Sequence, residues 1–335
     1  MTNQIKDIGE QGLLERLRRF CPPEIIGDDA AILVMQLGQS LVVTTDVLVD
    51  GVHFSDITTS PEDAGWRAAA ANLSDLAAMG ATPLGITVGL GLPGELSISW
   101  VERLYQGITE CLQKYNTSIV GGDIVRSPVT TLSITAFGQV NPSQIIRRSA
   151  AIVGDAIVVT GVHGASHGGL QLLLHPELKQ SLNDAAQTTL IKAHQRPQPR
   201  LDVLPILWNI LSSQSPIRVA GMDSSDGLAD AVLQICHTSG VGAVLERSQI
   251  PLPQAFDNWL TKEKALEYAL YGGEDFELVL CLPQNLANIL VQQLNPGAAI
   301  IGKITPGSQV LLHDQQQKIP DQVLTLSQGF QHFSH

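Results

Sequence analysis

The 335-residue chain is 44% hydrophobic, only 4% aromatic and carries 30 glycines, a composition suited to about two packed domains and not to a disordered chain. A net charge of -12 with no basic stripe argues against a sequence-independent grip on nucleic acid, which depends on Lys and Arg neutralising phosphates. No uncharged run reaches the roughly 18 residues of a membrane span. Residues 1–10 lack the basic start and apolar core of a signal peptide, so the cytoplasm is the expected compartment, with no membrane partner.

In chain order, residues 13–20 read as a short helix and residues 40–49 as a strand rich in Val and Thr. Pro61-Glu62-Asp63 opens a long helix, with proline tolerated in the first turn and acids at the positive end of the dipole. It runs through Ala68-Ala69-Ala70-Ala71 and stops at Gly80. Residues 86–92 read as a strand, 99–115 as a helix, 118–120 as a strand ending at Gly121-Gly122-Asp123, and 131–140 as a returning strand. Strands that neighbour one another through short loops, without a clean repeated β-α-β unit, favour α+β over a doubly wound parallel sheet. Composition changes again after Arg147-Arg148-Ser149, so two domains are expected, residues 1–148 and 149–335. The four cysteines, Cys21, Cys111, Cys236 and Cys281, show no zinc-type spacing and are expected to be free thiols.

Six acidic clusters stand beside glycine or small residues: Gly27-Asp28-Asp29, Thr44-Thr45-Asp46, Asn72-Leu73-Ser74-Asp75, Gly121-Gly122-Asp123, Asp223-Ser224-Ser225-Asp226 and Gly272-Gly273-Glu274-Asp275. Converging carboxylates repel one another and lose hydration, so their gathering makes physical sense chiefly around divalent cations. Mg²⁺ takes oxygen ligands and usually only one or two carboxylates, so this many acids imply several ions on a polyphosphate. Each cluster alone has a plainer reading as a turn or helix cap. Asp46 and Asp75 resist it best, since one sits in a Val-rich strand and the other in an Ala-rich helix. The helix expected from Leu228 would place its N-terminus beside Ser225 and Asp226, a favourable phosphate position. No Gly-x-x-x-x-Gly-Lys-Ser/Thr loop and no protein-kinase signature is present. Residues 164–169, Gly-Ala-Ser-His-Gly-Gly, read as a strand-to-helix turn before a phosphate loop.

The succession Gly-Asp-Asp-Ala-Ala, Thr-Thr-Asp-x-x-x-x-Gly-x-His-Phe, Asn-Leu-Ser-Asp-Leu-Ala-Ala-Met-Gly-Ala, Gly-Gly-Asp, Asp-x-Ser-Asp-Gly-Leu, Gly-Gly-Glu-Asp-Phe-Glu-Leu and Gly-Phe-x-His-Phe resembles the thiamine-monophosphate kinase family, from Gly27 to Phe333. That family belongs to a superfamily with aminoimidazole ribonucleotide synthetase, selenophosphate synthetase and a hydrogenase-maturation enzyme. The chain ends without the reactive cysteine expected of the last, and Cys21 is followed by Pro22-Pro23 where a selenophosphate synthetase would pair a Cys or selenocysteine with Lys.

The resemblance implies two α+β domains. The first binds ATP and Mg²⁺ and shares a barrel with a second subunit, giving a homodimer; the second completes the active site. It implies ATP-dependent phosphorylation of thiamine monophosphate to thiamine diphosphate, with several Mg²⁺ ions held by Asp29, Thr44, Thr45, Asp46, Asp75, Asp123, Asp223 and Asp226. Gly122, Asp123, Ser225, Arg148 and Tyr105 would contact ATP, and His53, Glu274 and Phe330 the thiamine phosphate, with Asp75 and Arg148 as the catalytic residues. Two departures stand out. Gly221-Met222-Asp223-Ser224-Ser225 replaces a more usual Ile-Asp-Leu-Ser, and Phe330 stands where Tyr or Trp can occur, so a hydroxyl or indole donor is lost while a π face remains. Two alternatives stay open: a sibling ATP-dependent synthetase with a different acceptor, and a protein that binds Mg-ATP without consuming it.

Overall fold

A computed structural model describes residues 4–23, 25, 30–212, 216, 218–294 and 296–325. Its contacts divide the chain into two units, residues 1–76 with 81–141 and residues 77–80 with 142–335.

The first unit opens with α1 (Ile5–Leu17), which continues as a 3-10 turn over Arg18–Phe20. The helix begins well before the position read from the sequence. Its early turns are polar, Gly9 breaks it with a φ of 66°, and only Leu13 and Leu17, one turn apart, are buried. β1 (Ser40–Val49) alternates strictly: Thr44, Asp46 and Leu48 lie on one face, while Leu41, Val43 and Val47 on the other are about half exposed. α2 (Pro61–Ala78) ends before Gly80, whose φ of 75° suits glycine. β2 (Thr82–Leu92) starts ahead of the expected strand, with a register irregularity between Pro83 and Gly85.

α3 (Ile98–Lys114) is capped by the Ser97 hydroxyl, which accepts the Trp100 N–H at 3.2 Å. It ends on Asn116 in the left-handed region, with Thr117 N–H returning to the Leu112 carbonyl at 3.2 Å. Gly65 of α2 and Gly107 of α3 let the helices cross closely, since a Cβ on either would run into the Leu104 or Glu62 carbonyl of the other. β3 (Ile119–Arg126) runs straight through Gly121-Gly122-Asp123, where the sequence reading ended it. The reason is local. Gly122 lies so close to the Val88 carbonyl that any Cβ would collide with it, so the glycine allows tight parallel pairing with β2 instead of breaking the strand. β4 (Thr131–Val140) pairs antiparallel with both β1 and β2, giving the order β1-β4-β2-β3.

The second unit contains β5 (Ala156–Val159), α4 (Ala165–Leu174), α5 (Asp184–Gln195), α6 (Val203–Leu211), β6 (Ala220–Asp223), α7 (Leu228–Ser239), β7 (Gly242–Glu246), α8 (Lys262–Tyr271), β8 (Leu278–Leu282), α9 (Gln284–Gln293), β9 (Ala299–Thr305), β10 (Val310–His313) and β11 (Gln322–Val323). Its mixed sheet has the order β11-β10-β7-β9-β5-β8-β6. Every residue of β5 and β8 is buried because both faces are covered. Ile157, Val159, Val279 and Cys281 pack with α7 and α8, whereas Ala156, Val158, Leu278, Leu280 and Leu282 pack with α6 and α9. Helices packed on mostly antiparallel strands make both units α+β, as read from the sequence. All four cysteines are free thiols, and Cys111, Cys236 and Cys281 are buried.

Candidate functional site

In the first unit, the strand period and one helix assemble an oxygen-only group. Thr44 and Asp46 lie two residues apart on the same face of β1, and Asp75 of α2 meets that face, its carboxylate accepting a hydrogen bond from the Thr44 hydroxyl. A hydroxyl and two carboxylates fit the preference of Mg²⁺ for hard oxygen donors and few acids per ion. Thr45 points the other way, its hydroxyl 2.8 Å from that of Thr135 on the neighbouring strand. Only its backbone remains on offer to the Thr44 side, because adjacent strand residues face opposite sides of the sheet.

Asp123 does not join this group within the sheet. The cross-strand rows run Asp46–Ile134–Val88–Gly122 and Val47–Ser133–Gly89–Asp123, so Asp123 shares its face with Val47 and not with Asp46. Three interstrand steps separate β1 from β3, on the order of 14 Å. Among the described residues, no three acids, histidines or cysteines form a metal-binding group. Within the first unit, Asp123 thus lies apart from Thr44, Asp46 and Asp75. Asp29 and Phe330 lie outside the described residues.

His53 follows the turn at Gly51. Its Nδ1 accepts the Val49 N–H at 3.1 Å, and its carbonyl accepts from Arg67 Nη1 at 2.9 Å. With Nδ1 as acceptor, the ring's proton is on Nε2. Tyr105 departs from its expected role as an open nucleotide contact. It is 5% exposed on the buried side of α3, its ring centroid 5.6 Å from that of Phe20, and burial pushes its hydroxyl pKa well up. The helical period that buries Val101, Leu104 and Ile108 carries Tyr105 inward with them.

In the second unit, β6 ends at buried Asp223 and the chain turns through Ser224, Ser225 and exposed Asp226 into α7. Gly227, with φ of 103°, sits against the Leu270 carbonyl where a Cβ would collide. Three contacts hold the turn. Ser224 N–H donates to the Glu277 carbonyl at 2.9 Å, the Ser225 carbonyl accepts the Glu274 N–H at 2.7 Å, and the Ser224 hydroxyl lies 3.1 Å from His163 Nε2. Burial drives the His163 pKa down to about 4, so its ring is neutral at pH 7. Arg148 is exposed at the start of a 3-10 turn, and its carbonyl accepts from the Ser239 hydroxyl at 2.8 Å.

Glu274 and Phe276 both have left-handed backbones, with φ of 67° and 53°. Between them Asp275 is partly buried, its carboxylate accepting the Gly164 N–H at 2.6 Å and the Ser166 N–H at 2.9 Å. Desolvation raises its pKa to about 7, against the opposing pull of those two amides. This settles residues 164–169 as a strand-to-helix turn whose N-terminal anion position is filled from within the chain. The glycines serve packing: Gly168 meets Phe256, and Gly169 meets the Leu190 carbonyl of α5. The sequence reading missed this capping role, and missed Glu277, whose partly buried carboxylate accepts from Thr160 at 2.5 Å and pairs with Arg200. Only the run Gly-Gly-Glu-Asp-Phe-Glu marked them, and nothing in it distinguishes a cap from a ligand.

The family model for the N-terminal domain of AIR synthase related proteins matches residues 27–140, and that for the C-terminal domain matches residues 153–314. A thiamine-monophosphate kinase from Synechococcus elongatus is 53% identical over 333 residues, covering 98% of each chain. One from Prochlorococcus marinus is 38% identical, covering 98% of this chain and 97% of its own. A crystal structure of thiamine-monophosphate kinase from Stenotrophomonas maltophilia is similar at a TM-score of 0.77 with 34% identity, covering 90% of this chain and 95% of that one. AaThiL, solved with AMPPCP and TMP, is similar at 0.71 with 31% identity over 97% of this chain and 99% of its own. The hydrogenase maturation protein HypE in complex with ATP, at 21% identity and a TM-score of 0.71, shares the fold.

Proposed function

This chain belongs to the thiamine-monophosphate kinase family of AIR synthase related proteins, and from that premise we propose that it transfers the γ-phosphoryl group of ATP to the phosphate of thiamine monophosphate. The products are thiamine diphosphate and ADP. The observation that carries this reading is 53% identity along 98% of both chains with a kinase of that name.

An acceptor phosphate oxygen attacks the γ-phosphorus as the bond to the ADP oxygen breaks. Both substrates are anions, so the protein's task is positioning and charge neutralisation, with no covalent intermediate needed. The acceptor's second pKa is about 6, so it is already ionised near neutral pH and no general base is assigned. When bound, Mg²⁺ offsets the negative charge that the two phosphorylated substrates bring together.

Thr44, Asp46 and Asp75 would hold one ion, and Asp29, Asp123, Asp223, Asp226 and the Thr45 backbone would supply the further oxygen ligands. Gly122 and Ser225 contact the nucleotide through backbone or hydroxyl groups. Arg148 pairs with a phosphate, which its planar fork holds in a way a lysine cannot match. His53 donates from Nε2 to the acceptor phosphate, Glu274 offers opposite charge to the thiazolium, and Phe330 a ring to stack on it. In this reading residues 1–148 carry the ATP- and metal-binding domain and residues 149–335 complete the active site.

The reading includes a homodimer, supported by the open face of the first unit's sheet, where Leu41, Val43, Val47 and Val125 are 50%, 52%, 47% and 56% exposed. Among the described residues β1 and β3 are also the edges of that sheet, and a second copy would cover this surface. No helix among the described residues is long and apolar enough to cross a membrane, in keeping with a cytoplasmic enzyme.

The test is incubation of purified protein with ATP, Mg²⁺ and either thiamine monophosphate or free thiamine, followed by chromatography. Thiamine diphosphate from the monophosphate alone is the expected result. No product while ATP remains bound would move the chain to a sibling chemistry.

A further inference from the structure

The partly exposed carboxylate of Glu274 belongs to a closed ring of contacts. Its Oε2 lies 3.6 Å from His194 Nδ1, and the same nitrogen lies 3.2 Å from the Ser166 hydroxyl. The Ser166 backbone N–H is bound by Asp275, the residue that follows Glu274 in the chain. Ser166 is 1% exposed and His194 2% exposed, whereas the Glu274 side chain is 33% exposed. One member of the ring therefore reaches solvent while its supports are sealed in the core between α4 and α5. The α4 and α5 glycine contact helps set that spacing, because a Cβ at Gly169 would also press on His194 Cβ at 3.1 Å.

The arrangement costs something. Glu274 is held at φ 67°, a conformation that a residue with a long side chain rarely adopts and that persists only where the surroundings over-determine it. Here they do: the Glu274 N–H is pinned to the Ser225 carbonyl at 2.7 Å, Asp275 is bonded to the first turn of α4, and His194 meets the side chain. A surface glutamate with no task would need none of this.

We propose that Ser166 and His194 are positioning residues that orient the Glu274 carboxylate toward the cationic ring of the acceptor, and so set selectivity for a phosphorylated cationic acceptor over a neutral one. The proposal rests on the reading of Glu274 as an acceptor contact. Ser166 fixes the imidazole and the imidazole limits the rotamers of Glu274, so the carboxylate is oriented before the acceptor arrives.

A double-mutant cycle in binding tests it, independently of turnover. The dissociation constant for thiamine monophosphate is measured by calorimetry for the wild type, His194→Phe, Glu274→Ala and the double variant, with AMPPCP as the control ligand. His194→Phe is expected to weaken acceptor binding about tenfold in the wild-type background and less than about twofold when Glu274 is already Ala, within the usual range for contacting residues. AMPPCP affinity stays within about twofold throughout. If His194→Phe does not fold, Ser166→Ala is read in the same cycle, with a smaller weakening of about threefold. Equal factors in both backgrounds, no weakening, or parallel loss of AMPPCP binding would overturn the proposal. A wild type that turns over no thiamine monophosphate yet shows the coupling sinks the kinase reading and keeps this one. Additive effects alongside normal turnover do the reverse, and a wild type that does not bind thiamine monophosphate overturns both.

Discussion

Asp275→Asn should make stability respond to pH in a specific way. The wild-type carboxyl has its pKa raised by burial from 3.8 to about 7. An acid whose folded pKa lies above its unfolded pKa contributes stability that is full below about pH 4 and is lost as pH rises toward 7, because the unfolded chain releases the proton first. At about 1.36 kcal/mol per pKa unit, the loss is on the order of 4 kcal/mol. Asparagine keeps the shape and one acceptor oxygen. Its amide nitrogen must then face the Gly164 or Ser166 N–H, donor against donor, which costs about 1–3 kcal/mol at every pH.

The difference curve must therefore change sign. Near pH 4 the variant is less stable than the wild type, the curves cross between about pH 4.5 and 6, and near pH 8 the variant is the more stable. Urea unfolding of both proteins across that range measures it, and only the difference is read. His163, a base pushed down to about 4, loses stability as pH falls below 6.5 and so has the opposite slope in each protein, but it cancels in the subtraction. A difference that stays constant from pH 4.5 to 8 would refute a buried, desolvated carboxyl that titrates with folding.

Gly122→Ala places a Cβ against the Val88 carbonyl, so it should destabilise the chain by about 1–3 kcal/mol in urea unfolding and raise the KM for ATP more than that for the acceptor. Asp75→Asn should abolish turnover, as judged by thiamine diphosphate formation, while far-ultraviolet circular dichroism is unchanged; near-normal turnover would sink the metal role. Val43→Glu, on the open sheet face, should convert a dimer to monomer in sedimentation without unfolding the first unit, since its side chain is 52% exposed in the single chain.

Legibility followed the range of the interactions. β1, α2 and β4 could be read from the sequence because period, proline and terminal glycine are local signals. The strand through Gly121-Gly122-Asp123 could not, since Gly-Gly-Asp is ordinarily a turn and the pairing that keeps it extended comes from Val88, more than thirty residues earlier. Thr44 and Thr45 were read alike as ligands, although the strand period already separates their faces. Asp123 needed the register of four strands to show its side of the sheet. Asp275 carries the same residue type and the same glycine neighbours as the metal-ligand candidates. What makes it a cap is the N-terminus of α4, over a hundred residues away in sequence.

The most direct test of the account is a single turnover with ATP labelled in its γ-phosphate, Mg²⁺ and thiamine monophosphate. Direct transfer predicts that the label appears in the terminal phosphate of thiamine diphosphate, with none retained on the protein. Label released only as inorganic phosphate, or held on the chain, would contradict it.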